Sequence, residues 1–108
     1  MAIHIGDFWQ SKQDKNVIYH VEDYGFGIEE DQNIKNTMVV VCSKIRIRRG
    51  LTGRLVFPKP EKFLWYASVD DLKKRCKLLL STKRIAKDTH KFKTDQDIID
   101  YLIEKVSE

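Results

Sequence analysis

The stretch Met38-Val39-Val40-Val41-Cys42-Ser43-Lys44-Ile45-Arg46-Ile47-Arg48 decides the fold. β-Branched side chains dominate it and no Gly or Pro interrupts it, so it predicts the strongest strand in the chain. A period of two sets Val39, Val41, Ile45 and Ile47 on one side as core residues, against Met38, Val40, Cys42, Lys44, Arg46 and Arg48 on the other. The basic half of that second side would project its cations at roughly 6–7 Å intervals, comparable to the spacing of phosphates along a nucleic-acid strand.

Downstream, Arg49-Gly50-Leu51-Thr52-Gly53-Arg54 predicts a hairpin loop with two glycines available for positive φ, leading into a short strand at 55–57. Pro58 and Pro60 stop pairing, and 63–67 resume as a strand in which Trp65 and Tyr66 are candidates for the core or, if exposed, for stacking on a base. Ser68 and Asp71 stand at the spacing of a capping box, and Val69, Leu72, Cys76 and Leu79 recur at helical intervals. That predicts a helix bearing Lys73, Lys74 and Lys77. Residues 81–93 are basic and poorly periodic, which predicts a connection of low order. Thr94 with Asp97 then opens an amphipathic helix on Ile98, Ile99, Leu102, Ile103 and Val106.

Upstream, residues 3–9 and 17–21 predict a hairpin joined by the polar stretch 10–16, with Val17, Tyr19 and Val21 on one face. Residues 22–36 turn acidic and glycine-bearing, predicting a long loop that carries Tyr24, Phe26, Glu29, Glu30 and Asp31. The whole reads as one α+β domain over 1–108. Four to five strands over 3–80 form a small, strongly bent antiparallel sheet or open barrel with a short helix, followed by a connection and a C-terminal amphipathic helix over 81–108.

With 108 residues the chain can hold one core without staples. Its charge is segregated: residues 38–93 carry 16 Lys and Arg against 4 Asp and Glu, and both ends are acidic. Such a middle faces something anionic, whether nucleic acid, an acidic protein surface or the chain's own acidic ends. Cys42 and Cys76 have no partner at metal-ligand or redox-motif spacing and read as buried free thiols. With no apolar stretch of signal length and nothing near the roughly 20 apolar residues of a membrane span, the expected location is the cytoplasm.

Gly6-Asp7-Phe8-Trp9 with Tyr19-His20-Val21, and 63–80 containing Ser68-Val69-Asp70-Asp71-Leu72, resemble small SH3-like barrel proteins of bacteria and phages. The resemblance covers roughly residues 3–80. It implies an SH3-like open barrel and a docking role toward peptide, RNA, DNA or protein, more than catalysis.

Catalytic and cofactor readings find little footing. Gly25-x-Gly27 lacks the third glycine of a dinucleotide fingerprint, no Walker-type sequence occurs, and Glu29, Glu30 and Asp31 with Asn33 do not match a calcium loop. His4, His20 and His90 are scattered. The expectation is a non-enzymatic module with no metal and no cofactor. Its first candidate ligand is nucleic acid, bound by Lys44, Arg46, Arg48, Arg49, Arg54, Lys73, Lys74 and Lys77. Its second is a protein of nucleic-acid metabolism, met through Tyr24, Phe26, Glu29, Glu30 and Asp31, as for a phage-type inhibitor of a host nucleic-acid machine.

Overall fold

The computed structural model describes residues 3–26, 38–61 and 64–108, with the backbone alone for Phe26 and Met38. Among the described residues ten elements follow one another: β1 (Phe8–Ser11), β2 (Val17–Phe26), β3 (Met38–Arg46), β4 (Arg48–Arg49), β5 (Leu55–Val56), β6 (Leu64–Ser68), α1 (Val69–Arg75), β7 (Cys76–Leu80), α2 (Thr82–Lys87) and α3 (Asp95–Ser107). Five strands form one antiparallel sheet in the order β6-β3-β2-β1-β7, and β4 pairs with β5 as a separate ribbon.

The register requires this sheet to bend. Ser68 of β6 pairs with Val39, which pairs with Gly25 near the end of β2; Lys77 of β7 pairs with Gln10, which pairs with Ile18 near its start. In a flat sheet, four strand spacings and seven residues along β2 would separate Ser68 from Lys77 by roughly 30 Å. Yet α1, whose seven residues rise only about 10 Å, joins β6 directly to β7. The sheet therefore curls around α1, helped by register shifts between Val21 and Asp23 and between Phe8 and Trp9. It does not close into a barrel.

Helices pack on both sheet faces, on the inner one only in part. On the inner face Trp9, Val21, Val40, Cys42 and Cys76 surround Leu72 of α1. On the outer face Phe8, Ile18, Ile45 and Leu80 meet Tyr101, Leu102 and Val106 of α3, with Phe92 filling in beside them. Each fully buried aliphatic side chain contributes about 1.5–3 kcal/mol. Capping fixes where the helices begin: Ser68 accepts from Asp71 N–H at α1, and Thr94 and Asp97 form a reciprocal capping box at α3.

Several expectations from sequence are corrected. Residues 22–26 are not loop but the second half of β2, because Tyr24 packs into the inner core and its hydroxyl donates to the Ile3 carbonyl. The helix beginning at Val69 ends at Arg75, and Cys76–Leu80 is an edge strand on β1; Lys77 therefore stands on a strand. Residues 82–87 form α2 within the supposed low-order connection, with Ser81 as N-cap. In β3, Val40 and Cys42 are fully buried while Val39 and Val41 are only half-buried, since α1 covers the inner face along the first half of the strand and α3 serves the outer face along the second. Of the two loop glycines only Gly53 takes positive φ.

Asp7 joins the sheet to the helical end of the chain. Its carboxylate is wholly buried, Oδ2 accepts from His4 N–H at 2.8 Å, and Oδ1 accepts from Thr82 N–H at 2.9 Å and Thr82 Oγ at 3.2 Å. The turn before it needs Gly6, at φ +94°, where a Cβ would lie 2.5 Å from Thr82 Cγ2.

Candidate functional site

Directly opposed residues in the ladder place Trp9, Tyr19 and Lys44 in one row on the inner face, and Val21, Cys42 and Trp65 in the next. Tyr19 and Trp65 lean together over β3, ring centroids 4.4 Å apart and inclined by 41°. Neither ring is fully buried, because α1 is too short to cover the inner face as far as the first turn.

The gap is a cleft of about 570 Å³ floored by Tyr19, Trp65 and Cys76 and rimmed by Lys12, Lys74 and Arg75, with Ser11 and Gln13 on its wall. The backbone fixes this rim: Lys12 N–H donates to the Arg75 carbonyl at 2.9 Å, tying the β1–β2 turn to the last turn of α1. Ser11 Oγ accepts from Gln13 and Asp14 N–H at 3.2 and 3.3 Å, which holds that turn in place. Among the described residues, no ion pair engages Lys12, Lys44, Lys74 or Arg75.

Burial pushes the Tyr19 phenol above its ordinary value, Cys76 adds to the rise, and the nearby Arg46 guanidinium opposes it. Burial likewise pushes the Cys42 thiol up to about 12 and the Cys76 thiol up to about 11. At neutral pH the floor is thus uncharged, a thiol, an indole and a phenol that can donate a hydrogen bond, below a positive rim.

The cations singled out from sequence are distributed over separate places. Lys44 and Arg46 share the inner face with Tyr19, but β3 ends at Arg46, and Arg48, Arg49 and Arg54 belong to the ribbon and its turn, so the expected continuous stripe is broken at the buried Ile47. Arg46 Nη1 donates to Asp14 Oδ2 at 3.0 Å, and Arg49 Nη1 donates to the Gly53 carbonyl at 3.0 Å. Lys74 reaches the cleft; Lys73 precedes it on α1 without lining it. Lys77 pairs with Gln10 and so projects on the outer face. Lys12 and Arg75 were missed in the sequence because no linear pattern joins a hairpin turn to a helix end.

Of the alternative site only Tyr24 has its side chain among the described residues. Tyr24 is packed into the inner core, only the backbone of Phe26 is described, and Glu29, Glu30 and Asp31 lie outside the described residues. On the outer face Glu22 accepts from Ser43 Oγ at 2.7 Å and lies 3.0 Å from His20 Nδ1, while His20 stacks on Phe8. The serine hydroxyl is committed to the carboxylate, which is not the serine-to-imidazole contact that activates a nucleophile. No group of three or more His, Cys, Asp or Glu side chains among the described residues is arranged to hold a metal ion, and no described helix is long and apolar enough to cross a membrane.

No protein-family model, curated protein or solved structure matches the chain.

Proposed function

We propose that this chain is a non-enzymatic module that binds nucleic acid through the inner-face cleft, with Lys44 and Arg46 beside it. The observation that carries this reading is the pairing of a half-buried Tyr19–Trp65 platform at the floor of a cleft with a rim of three cations that lack ion-pair partners among the described residues. Aromatic faces take bases, and Lys and Arg take phosphates, so the two chemistries in one cleft match the two parts of a nucleotide. The exposed arginines of the ribbon add a second positive surface for a longer strand.

Binding of a fluorescent oligonucleotide by anisotropy, across a salt series, tests this. Each phosphate contact contributes a slope of about −0.7 in log K against log salt on a single strand, so replacing Lys12, Lys74 and Arg75 together by Ala should flatten the slope by about 2. No binding at low salt, or a slope unchanged in the triple variant, refutes the assignment.

At the level of fold we read the sheet as an SH3-like open barrel, supported by the two edge strands β6 and β7 being joined through one short helix. The cytoplasm is the compartment proposed, where Cys42 and Cys76 stay reduced. A second reading, a protein-docking module such as a phage-type inhibitor of a nucleic-acid machine, is favoured by the β6 edge. Tyr66 is 65% and Leu64 44% exposed there, and the five residues of the strand itself are uncharged. If this reading is right, Tyr66→Lys abolishes capture of the partner and leaves oligonucleotide binding intact; capture of a protein by wild type and variant alike counts against it.

A further inference from the structure

We infer that the cleft accepts one unstacked base, so that the ligand is single-stranded rather than duplex; this rests on the nucleic-acid reading above. In a duplex the bases are stacked inside and the phosphates lie outside, so a duplex docked on this face would meet the rim cations and leave the aromatic floor unused. A single strand can turn a base inward while its flanking phosphates remain at the rim.

The geometry favours that second mode. Tyr19 and Trp65 are half-buried while Lys12, Lys74 and Arg75 are exposed, and the two rings, 4.4 Å apart with planes inclined by 41°, pack on each other as one tilted aromatic surface. A base seated there stacks on the cleft-facing side of one ring, a contact open to any base because every base has a π-face. The cleft, at about 570 Å³, lies within the range of small-ligand sites and is lined by Gln13, which supplies both donor and acceptor to a base edge. Ser11 already accepts two backbone N–H groups, which leaves its hydroxyl proton to donate. Because the Lys12–Arg75 backbone bond closes one side, the main chain of the rim is set before any ligand arrives, and only its three long side chains are ordered on binding.

The carboxylates near the site fit the same picture. Asp14 is occupied with Arg46, and Glu61, held through its N–H donating to the Lys44 carbonyl, lies close enough to raise the Tyr19 phenol. Neither lines the cleft.

The experiment compares, at one low salt concentration, a labelled single strand of about ten nucleotides, its duplex, and the same strand with abasic sites, as both DNA and RNA. The expected result is single-strand binding at least about tenfold tighter than duplex binding, a loss of about tenfold or more for Trp65→Leu on the single strand, and no change for that variant on the duplex. The abasic strand, bound to the unaltered protein, should show the same loss, so the test stands even if Trp65→Leu folds poorly. Duplex binding as tight as single-strand binding, or abasic binding as tight as the intact strand, overturns the inference while leaving the nucleic-acid reading standing. Absence of binding to every nucleic acid overturns both.

Discussion

Asp7→Ala should be among the most destabilising single substitutions in the chain. The buried carboxylate receives three hydrogen bonds, at 2.8, 2.9 and 3.2 Å, from two backbone N–H groups and one hydroxyl. Hydrogen bonds to a charged group contribute about 1.5–3 kcal/mol each, though bonds sharing one acceptor group do not add in full. Two of the donors would also be left without a partner in a site closed to water, and the Thr82 N–H belongs to the first turn of α2, where no intrahelical acceptor exists. We expect a loss of about 3–4 kcal/mol, a large share of the 5–15 kcal/mol typical of a domain. In thermal unfolding this corresponds to a drop on the order of 15 °C. Asp7→Asn should lose roughly half as much, since its amide keeps one acceptor oxygen but turns a donor toward one of the two sites. Thr82→Val, which removes only the 3.2 Å bond, should lose about 1 kcal/mol. Urea unfolding followed by tryptophan fluorescence measures the series, and hydrogen exchange should show faster opening at His4 and along α2 before the rest of the sheet. If Asp7→Ala unfolds within about 0.5 kcal/mol of wild type, the carboxylate does not hold α2 to the sheet and the argument fails.

The remaining predictions concern the inner face. The folded state raises both thiols, Cys42 to about 12 and Cys76 to about 11, whereas in the unfolded chain they ionise near 9, so their contribution to stability is whole below about pH 8 and is lost as pH rises from 9 toward 12. Each thiol should steepen that decline by up to about 1 kcal/mol per pH unit, visible as a fall in the urea midpoint between pH 8 and about 10; a flat profile there would sink it. Thiol labelling at neutral pH should be slow in the native protein and fast in urea, because burial keeps both sulfurs protonated and covered. Asp14→Asn should release Arg46 to a ligand, making the salt slope of oligonucleotide binding steeper by about 0.7, with little change in stability because the ion pair is half-exposed. An affinity lower than wild type would show that Asp14 helps shape the site instead.

Much of the fold was legible because periodicity and capping are local. The long strand at Met38, the Ser68 cap and the Thr94–Asp97 box all appear where residue chemistry places them, and the first hairpin forms with its opening strand shifted from 3–9 to Phe8–Ser11, because residues 5 and 6 turn at Gly6 to seat Asp7. What failed depends on neighbours. Cys76-Lys77-Leu78-Leu79-Leu80 is a short apolar run whose spacing suits helix or strand equally, and it becomes a strand because β1 offers an unpaired edge. Glu22 and Asp23 look like loop residues, yet they extend β2 because Val40 and Val41 stand across from Tyr24 and Asp23. The site was half legible: Lys74 and the stacking role considered for Trp65 could be named from sequence. Lys12, Tyr19 and Arg75 acquire a role only once the curl of the sheet brings the first turn over the end of α1.

That curl is also the reason the cleft exists. A connection from β6 to β7 of only seven residues must pass inside the bend, and Leu72 is the one residue of α1 that is fully buried beneath it. The helix then ends in Lys73-Lys74-Arg75, cations that suit its C-terminal dipole, and the last two are carried to the mouth of the uncovered part of the inner face. A longer helix would have covered Tyr19 and Trp65 and made them core. A shorter one would have left Leu72 unable to reach Trp9 and Cys42, and the bend without its filling. Lengthening α1 by one turn after Arg75 is therefore expected to seal the cleft or unfold the sheet. Retention of both stability and oligonucleotide affinity in such an insertion would show that binding takes place elsewhere, with the ribbon arginines Arg48, Arg49 and Arg54 the next surface to test.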